Sequence, residues 1–307
     1  MDKNGNAMRS LPQPGLNRSR RVFMGQLALG TGLVLTGCSK AKDTPFSGPS
    51  RQMRLGLATS GWGSKWHLDR LLRNCEKIGI QGVELQIGQA HRITPSLSAM
   101  SLRVVKNQFA RSRIEFVGFD SNLVLDPNDG DALRSNANGA KALVALSAEL
   151  GGSGVRFRYS DAAELKTSER QLLLDEVQKL ADFAHSRGQE LRLQPASGGP
   201  KNQLANSDLM RAFSARNVGI ASAMDFDARD LRASFDRRRD QLRSALLIGS
   251  IRDRGFPYEQ LAQHLVVAGF LGWILLEGSG EVADELLAIA EHRRRWLALV
   301  ALAQDSL

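Results

Sequence analysis

Between residue 54 and the C-terminus, short apolar runs alternate with amphipathic ones about eight times, and few folds accommodate that rhythm. Strands are predicted over 54–59, 82–86, 114–119, 155–158, 190–194, 218–224, 245–249 and 273–276. Helices are predicted over 65–78, 96–112, 131–150, 167–187, 207–215, 228–243, 258–268 and 281–303. The first helix carries Leu68, Leu71, Leu72 and Cys75 at helical spacing, which places them on one face. The segments 120–122 and 126–130 read as a long polar loop after the third strand. Strands alternating with helices imply a parallel sheet. Eight such units in about 250 residues match an α/β fold, the (β/α)8 TIM barrel, whose reactive groups stand at the carboxyl ends of the strands. An open doubly wound sheet is the alternative. Its dinucleotide fingerprint is absent, because Ser60-Gly61-Trp62-Gly63-Ser64 after the first strand is a glycine-rich loop without the required spacing.

One local pattern occurs twice: glycines, a short apolar strand, then a glutamate at its carboxyl end. Gly79 to Leu85 carries Glu84, and Gly269 to Gly278 carries Glu277. These read as strands two and eight of one closed sheet. The strand ends then supply Trp62, Glu84, Asp120, Arg156, Arg158, Gln194, Asp225, Asp227, Ser250, Arg252, Asp253 and Glu277. Carboxylates beside guanidinium forks suit a polar small molecule, phosphorylated or carboxylated. The bland reading of Asp225 and Glu277 is an ion-pair network that plugs the barrel mouth. For Glu84 it is a pair with Arg156 or Arg158, and for Trp62 simple packing.

The first fifty residues have no place in that core. Paired arginines, Arg20 and Arg21, precede an apolar segment over 25–35 that is too short to span a bilayer. A cleaved export signal is expected over 1–37. Ser-Arg-Arg-x-Phe resembles the twin-arginine motif. Leu35-Thr36-Gly37-Cys38 resembles a bacterial lipobox, which makes Cys38 the expected lipid-bearing residue, followed by a tether over 38–53 and the barrel over 54–307. The expected location is therefore the cell envelope, anchored to the membrane. Cleavage before Cys38 removes Lys3, Arg9, Arg18, Arg20, Arg21 and Asp2, which lowers the formal charge from +9 to +5. Much of the basicity thus belongs to the signal and does not call for a nucleic-acid partner. Cys75 is left as the only thiol, so an internal disulfide is excluded. The arginine runs 237–239 and 293–295 read as solvated helix faces, with an anionic membrane surface as the sharper alternative.

Gly-x-x-Gly-Val-Glu-Leu at 79–85, Leu-Gly-Gly-x-Gly-Val-Arg at 150–156 and Ala-Gly-Phe-x-Gly-Trp-x-x-x-Glu at 268–277 resemble the sugar phosphate isomerase/epimerase family, with its xylose-isomerase-like TIM barrel. The resemblance implies a divalent metal held by a Glu, an Asp, a His and a Glu ending strands five to eight. Those places here hold Gln194, Asp225, Ser250 and Glu277, so two of the four ligands are replaced by neutral donors. Such a site is expected to hold Mg²⁺ weakly, and Mn²⁺ or Zn²⁺ poorly without the imidazole. Gln194→Glu with Ser250→His is expected to raise metal affinity. The resemblance further implies Glu277, Asp225 and Glu84 in catalysis and Arg156, Arg252, Trp62 and Gln194 around a carbohydrate. Of the histidines, only His91 lies where it could reach the mouth. Two functions stay open: a divergent sugar isomerase or epimerase, and a non-catalytic envelope lipoprotein that uses the mouth to bind a ligand or partner. A base-damage endonuclease on the same barrel is set aside, because the histidine and acidic cluster for three metals is missing.

Overall fold

A parallel strand buried on both faces must be covered by helices, and the chain supplies one after every strand. The computed structural model describes residues 53–161, 163–196, 203–213, 215–221, 231–236, 239–248, 257–278 and 281–307. Strands β1 (Arg54–Ala58), β2 (Gly82–Gln86), β3 (Glu115–Leu125), β4 (Gly154–Tyr159), β5 (Glu190–Pro195), β6 (Val218–Ile220), β7 (Ser244–Ile248) and β8 (Trp273–Glu277) form one sheet. Helices α1 (Leu68–Ile78), α2 (Ala99–Ala110), α3 (Gly130–Leu150), α4 (Thr167–His185), α5 (Gln203–Ala212), α6 (Leu231–Asp236), α7 (Tyr258–Val267) and α8 (Glu285–Asp305) alternate with them. All named pairings are parallel, in the order β6-β5-β4-β3-β2-β1-β8-β7. The ring is nearly closed between β6 and the residues leading into β7, where Ile220 bridges Leu242 and the Arg243 amide donates to the Ile220 carbonyl at 3.0 Å. The barrel predicted from the rhythm is therefore the fold.

Helix ends follow the chemistry of their caps. Gly79 closes α1 at φ 72° and Gly151 closes α3 at φ 82°, conformations that a side chain would strain. Asp129 opens α3 by accepting from the amides of Asp131 and Ala132, and Asp284 opens α8 by accepting from the Leu287 amide.

One expectation fails instructively. Residues 120–122, read as loop, lie inside β3, which runs to Leu125. Val83 pairs with Phe116 but Glu84 pairs with Gly118, so β3 carries an extra residue at Val117. Such a bulge reverses which side chains face the lumen. Val117 packs inward with Ala58, Leu246, Trp273 and Leu275, and after the bulge Asp120 points inward as well. Gly118 sits at φ 147°, and a Cβ there would lie 1.9 Å from the Gly154 carbonyl oxygen, so only glycine fits.

The lumen therefore has two tiers. Val117, Leu246, Trp273 and Leu275 fill one with apolar side chains, and the Trp273 ring occupies the space left by Gly82, where a Cβ would come within 2.5 Å of it. The tier toward the strands' carboxyl ends is charged. The larger apolar core lies outside the ring, between strands and helices.

Candidate active site

Five strands contribute to the charged tier. On β4 and β5 the polar residues fall at alternate positions, Arg156 and Arg158, then Glu190, Arg192 and Gln194, which sends them to a common face. Register sets Asp120 beside Arg156, Arg156 beside Arg192, and Arg158 beside Gln194.

Arg156 is the hub. Its side chain is 1% exposed. Nε donates to Glu84 Oε2 at 2.9 Å and Nη1 donates to Gln194 Oε1 at 2.9 Å. Nη2 lies 2.9 Å from Asp120 Oδ2, off the line of a proper hydrogen bond, and Nη1 lies 3.7 Å from Glu277 Oε2. Arg192 stands behind, with Nη1 3.6 Å from Glu84 Oε1 and Nη2 donating to Ser153 Oγ at 2.5 Å. Glu277 Oε1 accepts from Ser60 Oγ at 2.5 Å. Asp120 Oδ2 accepts from Gln86 Nε2 at 3.1 Å, and Gln86 in turn accepts from Gln89.

Two buried guanidinium groups thus meet three carboxylates, so one carboxylate is surplus. The surplus appears at Asp120, whose carboxyl group is pushed up to about 6. Burial is the main cause and outweighs the nearby Arg156, while Glu84 and Glu277 raise it further. Arg156 responds in the opposite sense. Burial alone would release its proton, but Glu84, Asp120 and Glu277 hold it firmly in the charged form.

Accessibility then divides the predicted residues. Glu84 is fully buried beneath Arg156, whereas Glu277 retains 15% of its side-chain surface and reaches the mouth. Arg158 and Gln194, paired across β4 and β5, are half-buried. Trp62 is buried, edge-to-face on His292 of α8 with ring centres 4.8 Å apart, and a Cβ on Gly278 would strike its indole. His91 is buried in the segment after β2, where burial holds its imidazole down to about 4 and so neutral at physiological pH. Arg293 donates to the Gly79 carbonyl at 3.1 Å, and Arg294 and Arg295 both bind Glu291, so this run secures α8. Asp225, Asp227, Ser250, Arg252 and Asp253, with Arg237, Arg238, Arg20, Arg21 and Cys38, lie outside the described residues.

The structure thus brings Glu84, Arg156, Gln194 and Glu277 together and sets Trp62 against α8. Ser60, Gln86 and Arg192 belong to the same network and were not singled out from sequence. The alternation Glu-Leu-Arg-Leu-Gln along β5 carries the signal for Arg192, since every second residue of a barrel strand faces inward.

A divalent ion held between Gln194 and Glu277 would share its space with Arg156 Nη1, which already contacts both residues. At about 4 Å and an effective dielectric of about 20, the repulsion is roughly 8 kcal/mol. As packed, these two positions do not fit a divalent ion. Among the described residues, no group of three or more His, Cys, Asp and Glu is arranged to hold one.

No protein-family model matches the chain, and no curated protein sequence matches it. Solved structures do. The chain resembles an L-ribulose 3-epimerase at 13% identity over 83% of this chain and 96% of that one, with a TM-score of 0.68. It resembles the 3-keto-D-glucoside 4-epimerase of E. coli at 13% identity over 80% and 100%, with a TM-score of 0.66. A third likeness, at 15% identity over 82% and 99% and a TM-score of 0.66, is to the IOLI protein, which binds a zinc atom. The fold is therefore the xylose-isomerase-like TIM barrel, the one on which these sugar epimerases are built.

Proposed function

We propose that this protein is a divergent sugar isomerase/epimerase-like barrel that takes a sugar or sugar-derived acid at its mouth. The observation that carries the reading is the position of Glu277. It ends β8, is fixed by Ser60, and is the network's one carboxylate with an exposed edge at the mouth among the described residues. A carboxylate so held can accept hydrogen bonds from sugar hydroxyls, or take a proton from a carbon beside a carbonyl. Arg158 and Gln194, neighbours at the ends of β4 and β5, add donors suited to hydroxyl or carboxylate oxygens. Glu84 and Asp120 act from below, holding Arg156 in place and not touching the substrate. Asp225, Ser250 and Arg252 are assigned to the same mouth on sequence grounds.

Screening the full chain against ketohexoses, ketopentoses and their acids, by calorimetry and by product analysis, tests this. Glu277→Gln is expected to weaken binding, and turnover where it is seen, at least tenfold without lowering the melting temperature. An unaltered affinity would remove Glu277 from the site.

A non-catalytic binding protein is the second reading. What favours it is the degree to which the carboxylates already satisfy Arg156. Saturable sugar binding with no interconversion over days would select it. Either function is proposed to operate in the envelope, on a lipid anchor at Cys38. Cys38→Ala is expected to move the protein from the membrane to the soluble fraction, and retention on the membrane would contradict the anchor.

A further inference from the structure

The geometry points to Arg156 as a built-in cation that stands where related barrels place a metal, making the mouth a site whose positive charge belongs to the polypeptide. One nitrogen, Nη1, lies 2.9 Å from Gln194 Oε1 and 3.7 Å from Glu277 Oε2, at the two strand ends that would furnish metal ligands. The other two nitrogens hold Glu84 and Asp120, so the whole guanidinium is used in gathering oxygen atoms from four strands. A glutamate at position 194 would have balanced a dication. The neutral amide found there balances a monocation, and the carbonyl oxygen is the part of the amide that Arg156 engages. The Glu-to-Gln replacement at β5 and the arginine at β4 are thus two halves of one exchange. Arg192, second in the stack and 3.6 Å from Glu84, extends the same positive column inward.

The inference rests on the placement of the site and not on which sugar it takes. It revises what restoring ligands should do. With Arg156 present, a glutamate at 194 would pair with Nη1 and gain no metal.

The test uses the full chain and Mn²⁺ alone, followed by calorimetry and by melting temperature with Mn²⁺ or EDTA. Four proteins are compared: unaltered, Gln194→Glu with Ser250→His, Arg156→Met, and all three changes together. The expected order is no saturable Mn²⁺ binding below about millimolar concentration in the first two. In the triple variant Mn²⁺ should bind at least a hundredfold more tightly and raise the melting temperature. Arg156→Met alone should also be stabilised by Mn²⁺, because the ion returns charge to Glu84 and Glu277. Micromolar Mn²⁺ binding by Gln194→Glu with Ser250→His, Arg156 intact, would overturn the inference. So would EDTA lowering the melting temperature of the unaltered protein. Both measurements are made on chains that keep the arginine network, so a folding failure of the Arg156 variants leaves the question decidable. A sugar screen that finds nothing would undo the functional reading and leave this one standing.

Discussion

Arg156→Met should cost about 3 to 5 kcal/mol of folding stability, read as a shift in the urea midpoint followed by circular dichroism. Removing one member of a buried ionic cluster leaves its partners charged and unpaired, which is far costlier than losing a surface pair. Here the partners are Glu84, fully buried, and Asp120, nearly so. Arg192 is too distant to replace the lost contacts, with its nearest approach to Glu84 at 3.6 Å. Converting Glu84 to Gln in the same chain should recover part of the loss, because the stranded charge is then gone. Simple additivity of the two changes would show that the pair is not coupled.

The second large effect is on pH dependence. Asp120 is pushed up to about 6 in the folded chain from an ordinary value of 3.8, so the folded state holds this proton more tightly than the unfolded one. Its contribution to stability is therefore complete below about pH 3.8 and disappears as pH rises through 6. A shift of that size corresponds to about 3 kcal/mol. Asp120→Asn carries no titrating proton, and its amide can keep the bond to Gln86 through its oxygen. Relative to the unaltered protein, the variant should gain stability between pH 4 and pH 7 by up to that amount. Parallel unfolding curves at pH 4 and pH 7 for the two proteins would show that Asp120 ionises without hindrance. The facing groups are Arg156 and Arg158 on β4, Glu84 on β2 and Glu277 on β8, two positive and two negative, so an ionised Asp120 adds a negative charge to an already balanced set.

The barrel was legible because its cause is local and repeats. Most strands are apolar or alternating runs bounded by turn residues, and the long helices show a 3.6-residue stripe. The meeting of Glu84, Arg156 and Glu277 followed from strand order, since a closed sheet forces its carboxyl ends onto one rim. What could not be read was orientation through the bulge at Val117. Counting residues along β3 without it sends Asp120 toward the helices, and Asp120-Ser121-Asn122 looks like turn chemistry. Nor could sequence tell that Trp62 would close against His292, because that contact joins residues 230 apart through the packing of α8. Arg192 was hidden differently. It is an arginine in mid-strand, made tolerable by Glu84 on another strand and by Ser153, residues distant from it in sequence.

The arrangement around Arg156 also bears on how such a chain can change over generations. Acquiring an acid at 194 alone yields an extra ion pair and no new capability. Losing the arginine alone strands two buried anions. Without a metal ion each single step away from the present state is neutral or harmful, and tight metal binding needs both together. A lineage that has installed this residue is consequently held there by its own interior, like a ratchet that has passed a tooth.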